Sequence, residues 1–110
     1  MKNKIIKELY DYWYKLDNTN DNLLKEITDN INNGKVGAET LLDWCRDDYD
    51  NARKQYMNIH NITEKDMEKL MEQNGGTYEF MYNDLPYVKD LDNVWNICNE
   101  YFDYVVKECE

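Results

Sequence analysis

The chain has 110 residues, of which 42% are hydrophobic, with ten tyrosines and three tryptophans. That length suits one domain with a core of its own, and the aromatic content argues against intrinsic disorder. Thirteen basic residues stand against 23 acidic ones, a formal net charge of −10; this field opposes direct binding to nucleic acid or to an anionic membrane and favours a cationic partner.

The hydrophobic pattern predicts helix after helix. Ile5, Ile6, Leu9, Trp13 and Leu16 make an apolar stripe over about residues 3–16, with Tyr10, Tyr12 and Tyr14 spread around it. Asp17 to Asn22 is a polar connector. A second stripe of Leu24, Ile27 and Ile31 runs to a stop at Asn33 and Gly34. Lys35, Val36 and Gly37 then read as a tight link into the longest helical pattern, Glu39 to Ile59. There Leu42, Cys45, Tyr49, Ala52 and Tyr56 share one face, while Glu39, Asp43, Asp47 and Asp50 follow the same rhythm on another.

Thr63 is placed to cap a fourth helix, with Asp66 completing a capping box and Ile62 stapling onto Met67. Asn74, Gly75 and Gly76 supply its end. The alternation of Tyr78, Phe80 and Tyr82 suits a short extended segment near residues 77–82 or an aromatic loop; since one strand makes no sheet, the loop is expected. A last helix enters through Asp84, Leu85 and Pro86 and runs to about Glu108, with Leu91, Val94, Trp95, Cys98, Phe102, Val105 and Cys109 facing inward and Asp92, Asn96, Asn99 and Asp103 outward. The expected fold is all-α: residues 1–110 as one acidic bundle of about five helices.

Cys45, Cys98 and Cys109 are odd in number and lack metal-ligand spacing, so they read as core thiols. No signal-like run and no stretch of about 18 apolar residues occurs, and a cytoplasmic location is expected, in the host cell if the gene belongs to a phage. Charge is balanced over residues 1–38, whereas residues 39–78 carry −4 and residues 79–110 carry −6. Asp50 at i,i+4 from Arg46 and Lys54 can form local pairs. Were the third and fifth helices adjacent, their acids would merge into one patch.

That patch defines the candidate partner-binding residues: Asp43, Asp47, Asp48, Asp50, Asp92, Glu100 and Asp103, with Trp44 and Tyr49 as aromatic anchors. The expected function is stoichiometric inhibition of a nucleic-acid-processing enzyme, carboxylates taking the place of phosphates in its basic groove, as small phage and mobile-element proteins do against restriction or CRISPR enzymes. An antidote or immunity module covering a basic protein would present the same chemistry. Catalysis has little to draw on: there is no serine, and the single histidine, His60, sits at a helix end. Neither a catalytic residue nor a cofactor is expected.

A carboxylate–magnesium site is the enzymatic alternative. Glu26 with Asp29, and Glu100 with Asp103, each place two acids at i,i+3. These two fragments loosely resemble the acidic helices of the all-α nucleotide pyrophosphohydrolases of the MazG type, although that family's paired ExxE helix has no counterpart here. The resemblance implies magnesium-dependent hydrolysis on a helical scaffold.

Overall fold

The computed structural model describes residues 2–109, Cys109 by its backbone only. Five helices follow one another: α1 Lys2–Leu16, α2 Leu23–Ile31, α3 Gly34–His60, α4 Glu64–Gln73 and α5 Tyr87–Cys109, with a single 3-10 turn at Glu79–Met81 between the last two. No strand occurs among the described residues, and the segment around residue 80 is neither strand nor open loop. None of the helices is long and apolar enough to cross a membrane.

The 27-residue α3 is the spine; at 1.5 Å per residue it runs about 40 Å, close to the full 42 Å length of the molecule. It lies antiparallel to α5, its most extensive neighbour: Cys45 faces Cys98 with 3.9 Å between sulfurs, and Gln55 further along accepts a hydrogen bond from the Tyr87 hydroxyl. The thinnest dimension is 18 Å, room for two helix layers at the usual axis spacing of about 8–10 Å. The radius of gyration, 15.3 Å, exceeds the ~13 Å of a rounded domain of this length. The molecule is a slab.

Two cores fill it. The larger joins Leu9, Trp13, Ile27, Ile31, Leu41, Cys45, Leu91 and Cys98 between α1, α2, α3 and α5. The smaller gathers Ala52, Tyr56, Met67, Met81, Leu85 and Val88 where α3 and α5 meet α4 and the 3-10 turn. Cys45 and Cys98 are free, buried thiols, and the Cys45 thiol is pushed well up by its hydrogen bond to Cys98 and by burial; both act as small hydrophobes. The expected role of Cys109 lies outside the described side chains.

Several sequence expectations move. α3 begins at Gly34, five residues before Glu39, because Gly34 takes a left-handed φ of 62° and turns the chain within one residue; the link at Lys35 to Gly37 is therefore the first helical turn. Leu16, expected inward, is 41% exposed, whereas Tyr12 is buried in its stead. Tyr101, not among the expected inward residues of α5, is buried, and its hydroxyl donates to the Ile31 carbonyl at the end of α2.

The signals flanking α4 act as read. Thr63 Oγ1 accepts from Asp66 N at 3.2 Å, and Asp66 Oδ2 accepts from Thr63 N at 3.1 Å. At the other end Gly76 N donates to Met71 O and Gly75 N to Glu72 O, the paired bonds of a Schellman ending, with both glycines at positive φ. Thr63→Ala is expected to lower stability by about 1 kcal/mol, seen as a lower urea midpoint with an unchanged slope.

Candidate functional site

The outward side of α3 carries Glu39, Asp43, Asp47 and Asp50, all exposed. From Glu39 to Asp50 is eleven residue steps, about 16 Å of helix. Asp43 is paired: Arg46 Nη1 lies 2.5 Å from its Oδ1, and the same guanidinium sits 5.6 Å from the centre of the Trp95 ring. Glu39, Asp47 and Asp50 enter none of the four ion pairs among the described residues; of the two local partners expected for Asp50, Arg46 is committed to Asp43, and Lys54 lines a cleft beside Asp50 together with Arg53. On α5, Glu100 and Asp103 are also exposed, but Glu100 borders a groove with Lys4, Glu8 and Tyr104 on the α1 side. Glu100 therefore stands apart from the α3 acids, although the helices adjoin.

The other four expected residues are half-buried, and two of them, Asp92 and Tyr49, form the seam between the two cores. Asp92 is half-buried and accepts hydrogen bonds from two phenols, Tyr49 at 2.5 Å and Tyr82. Tyr49 stacks on Tyr78, ring centres 4.7 Å apart, and meets Trp95 edge-on. The hydrogen bond to Asp92 is the largest influence holding the Tyr82 hydroxyl up to about 12. For Tyr49 burial comes first and Asp92 second, again upward. A phenol donating to a carboxylate loses that bond on ionising and gains a like charge, so both effects have one sign.

Asp48 occupies the opposite flank of α3. Its Oδ2 accepts from the Trp13 indole N–H at 2.7 Å, and Trp13 packs edge-on against half-buried Trp44, ring centres 5.2 Å apart. Burial raises the Asp48 carboxyl above its usual range, with the Trp13 hydrogen bond opposing. The buried Tyr12 hydroxyl lacks a hydrogen-bond partner; desolvation chiefly, and the Asp48 charge next, push it up. Trp44 and Tyr49 are thus both half-buried and pack within the fold.

Beside Asp48 a cleft of about 260 Å³ opens, lined by the apolar side chains of Trp13, Leu16, Leu23 and Trp44 and by the polar ones of Asp17, Asn20, Glu26, Asp47 and Asp48. The connector that brings Asp17 and Asn20 there is held by its own side chains: Asp17 Oδ1 accepts from Thr19 N, and Asn20 Oδ1 accepts from Asn22 N, each at 3.0 Å. The Thr19 hydrogen bonds also lower the Asp17 carboxyl. Asp17, Asn20 and Glu26 are absent from the sequence-derived set because no periodicity links residue 17 to residue 47. For Asp17 and Asn20 the sequence signal is the turn-forming composition, and Glu26 is singled out there only as a partner of Asp29.

Compared with known protein families, with curated proteins and with solved structures, the chain matches none. Nor do the fragments that resemble the MazG-type enzymes come together. Asp29 pairs with Lys25 at 2.8 Å and Glu26 receives Asn20 Nδ2 at 3.3 Å; among the described residues no three His, Cys, Asp or Glu side chains are grouped so as to hold a metal ion. His60 lies 2.9 Å from Asp84 and stacks against Tyr56, a contact that ties the end of α3 to the segment before α5.

Proposed function

We propose that this chain is a stoichiometric binding protein that lays the acidic side of α3 into the basic groove of a nucleic-acid-processing enzyme and so inhibits it, in the manner of the anti-restriction and anti-CRISPR proteins of phages and mobile elements. The observation that carries this reading is the row of exposed carboxylates at Glu39, Asp47 and Asp50, none of which enters an ion pair among the described residues, on a chain whose net charge is −10. Carboxylates at such spacing attract the Lys and Arg side chains that otherwise hold phosphates.

Density limits what a single helix can imitate. Acids three or four residues apart are separated by about 5–6 Å, against one charge per roughly 3.4 Å of axis along a DNA strand. A second row beside the first raises the density, and Asp17 and Glu26, which line the same cleft as Asp47, provide it. Asp17 of the α1–α2 connector and Glu26 of α2 add to the acids that the sequence pattern sought on α5. A flat molecule 18 Å thick also suits insertion into a groove.

The test is a low-salt pull-down from source-cell lysate with the wild-type chain and the variant Asp43→Lys, Asp47→Lys, Asp50→Lys, repeated with excess DNA and RNA. The wild type is expected to retain a nucleic-acid enzyme that competing nucleic acid displaces. The variant should lose it by more than tenfold while its helical circular dichroism stays the same. Retention by the triple variant would remove α3 from the mechanism, and retention against competing nucleic acid would instead favour an antidote-type contact.

A further inference from the structure

The cleft between α1, α2 and α3 differs from the rest of the acidic surface. Its lining combines apolar and aromatic side chains, Leu16, Leu23, Trp13 and Trp44, with four carboxylates, Asp17, Glu26, Asp47 and Asp48, and includes no Lys or Arg. A solvated helix face has no need of an aromatic lining, and a hydrophobic docking groove has no need of four acids. One ligand type satisfies both: a cation at the end of an apolar stem. At about 260 Å³ the space falls just below the ~300–1,000 Å³ typical of small-molecule sites, which matches one side chain better than a nucleotide or cofactor.

We propose that this cleft receives the guanidinium of a single arginine presented by the cationic partner, a deepening that rests on the binding function given above. Arginine fits better than lysine on two counts. Its planar group stacks on an indole with favourable cation–π energy, and its five N–H donors can reach several carboxylates at once, whereas an ammonium offers three donors from a point. Asp48 is the inner acceptor. One of its oxygens is held by Trp13, which fixes the carboxylate, and an arriving guanidinium would supply a charge partner to a group now half-removed from water. Asp47 links the cleft to the exposed row on α3, so an arginine seated here would bring its neighbouring basic residues onto that row.

The three tryptophans provide the assay. In ¹⁵N-labelled full-length protein the indole N–H signals of Trp13 and Trp44 report on the cleft, while Trp95, stacked beneath Arg46 on the other flank of α3, is an internal control. Titration with N-acetyl-arginine amide at millimolar concentration is expected to shift the Trp13 and Trp44 signals and leave Trp95 in place. The neutral isostere N-acetyl-citrulline amide should bind roughly tenfold more weakly, and the lysine analogue in between. Asp47→Asn combined with Glu26→Gln alters two exposed residues and should reduce the arginine response to the citrulline level. Equal responses to arginine and citrulline, or equal shifts at all three indoles, would overturn the assignment. No partner protein enters this titration, so its failure is distinct from a failure of the acidic-face reading, which the pull-down decides.

Discussion

Replacing Gly37 by alanine is expected to destabilise the protein by about 3 kcal/mol or more. Gly37 lies in the first turn of α3, where the helix rests directly on the backbone of α2. A Cβ at this position would stand 1.8 Å from the Asn30 carbonyl oxygen, 2.6 Å from its carbon and 2.8 Å from Asn30 Cα. All three are backbone atoms, so no rotamer change relieves the overlap; α2 and α3 must separate and open the core around Ile27, Ile31 and Leu41. Helix propensity acts the other way, alanine being favoured over glycine by about 1 kcal/mol inside a helix, but the clash is larger. Gly75→Ala is the comparison: nothing lies within 4 Å of its Cβ, and its cost should be only the roughly 1–2 kcal/mol of a left-handed alanine. Urea unfolding of the two variants measures the difference. Equal stability of Gly37→Ala and wild type would mean that α2 and α3 do not make this contact. Because Glu26 on α2 and Asp47 on α3 line the same cleft, Gly37→Ala should also weaken the arginine response.

The helices were legible because their signals are local. Thr63 with Asp66, the glycines after Gln73 and Pro86 before α5 act over four residues or fewer, and the apolar stripes need only a helical period to be seen. Gly37 was misread for a physical reason: a glycine near a helix start looks like a link, and only the packing of α2 shows that it is a helical residue chosen for its missing side chain. Leu16 and Tyr12 exchanged places because both lie at the edge of the α1 stripe, and hydrophobicity alone does not say which edge the neighbouring helices cover. The acids divided in the same way. Asp43, Asp47 and Asp50 sit diametrically away from the Cys45 face and were readable as exposed, whereas Asp48 and Asp92 lie at the flanks of their helices, where Trp13 and Tyr49 from distant parts of the chain claim them. Periodicity reports faces; pairings over 35 residues, such as Trp13 with Asp48, depend on topology.

Asp92→Ala should be the most damaging change in the seam between the two cores, lowering stability by about 2–3 kcal/mol. The carboxylate is the common acceptor for the phenols of Tyr49 and Tyr82, and through them it ties α3 and the segment after the 3-10 turn to α5. Each hydrogen bond to a charged group contributes about 1.5–3 kcal/mol, but Tyr82 can turn to water once released, so the two contributions do not sum in full. Asp92→Asn retains one acceptor oxygen and presents an amide donor to the other phenol, for an expected loss of about 1 kcal/mol. Tyr49→Phe and Tyr82→Phe, alone and combined with Asp92→Ala, would separate the two bonds by double-mutant cycles. An independent readout comes from titrating the Tyr82 hydroxyl by ¹³C resonance of the ring carbon that bears it. Held up to about 12 in the wild type, chiefly by its hydrogen bond to Asp92, it should fall toward its ordinary value of 10.0 in Asp92→Ala. A Tyr82 titration unmoved by the loss of Asp92 would mean that the phenol is not bonded to that carboxylate, and the seam would then have to be held by the stacking of Tyr49, Tyr78 and Trp95 alone.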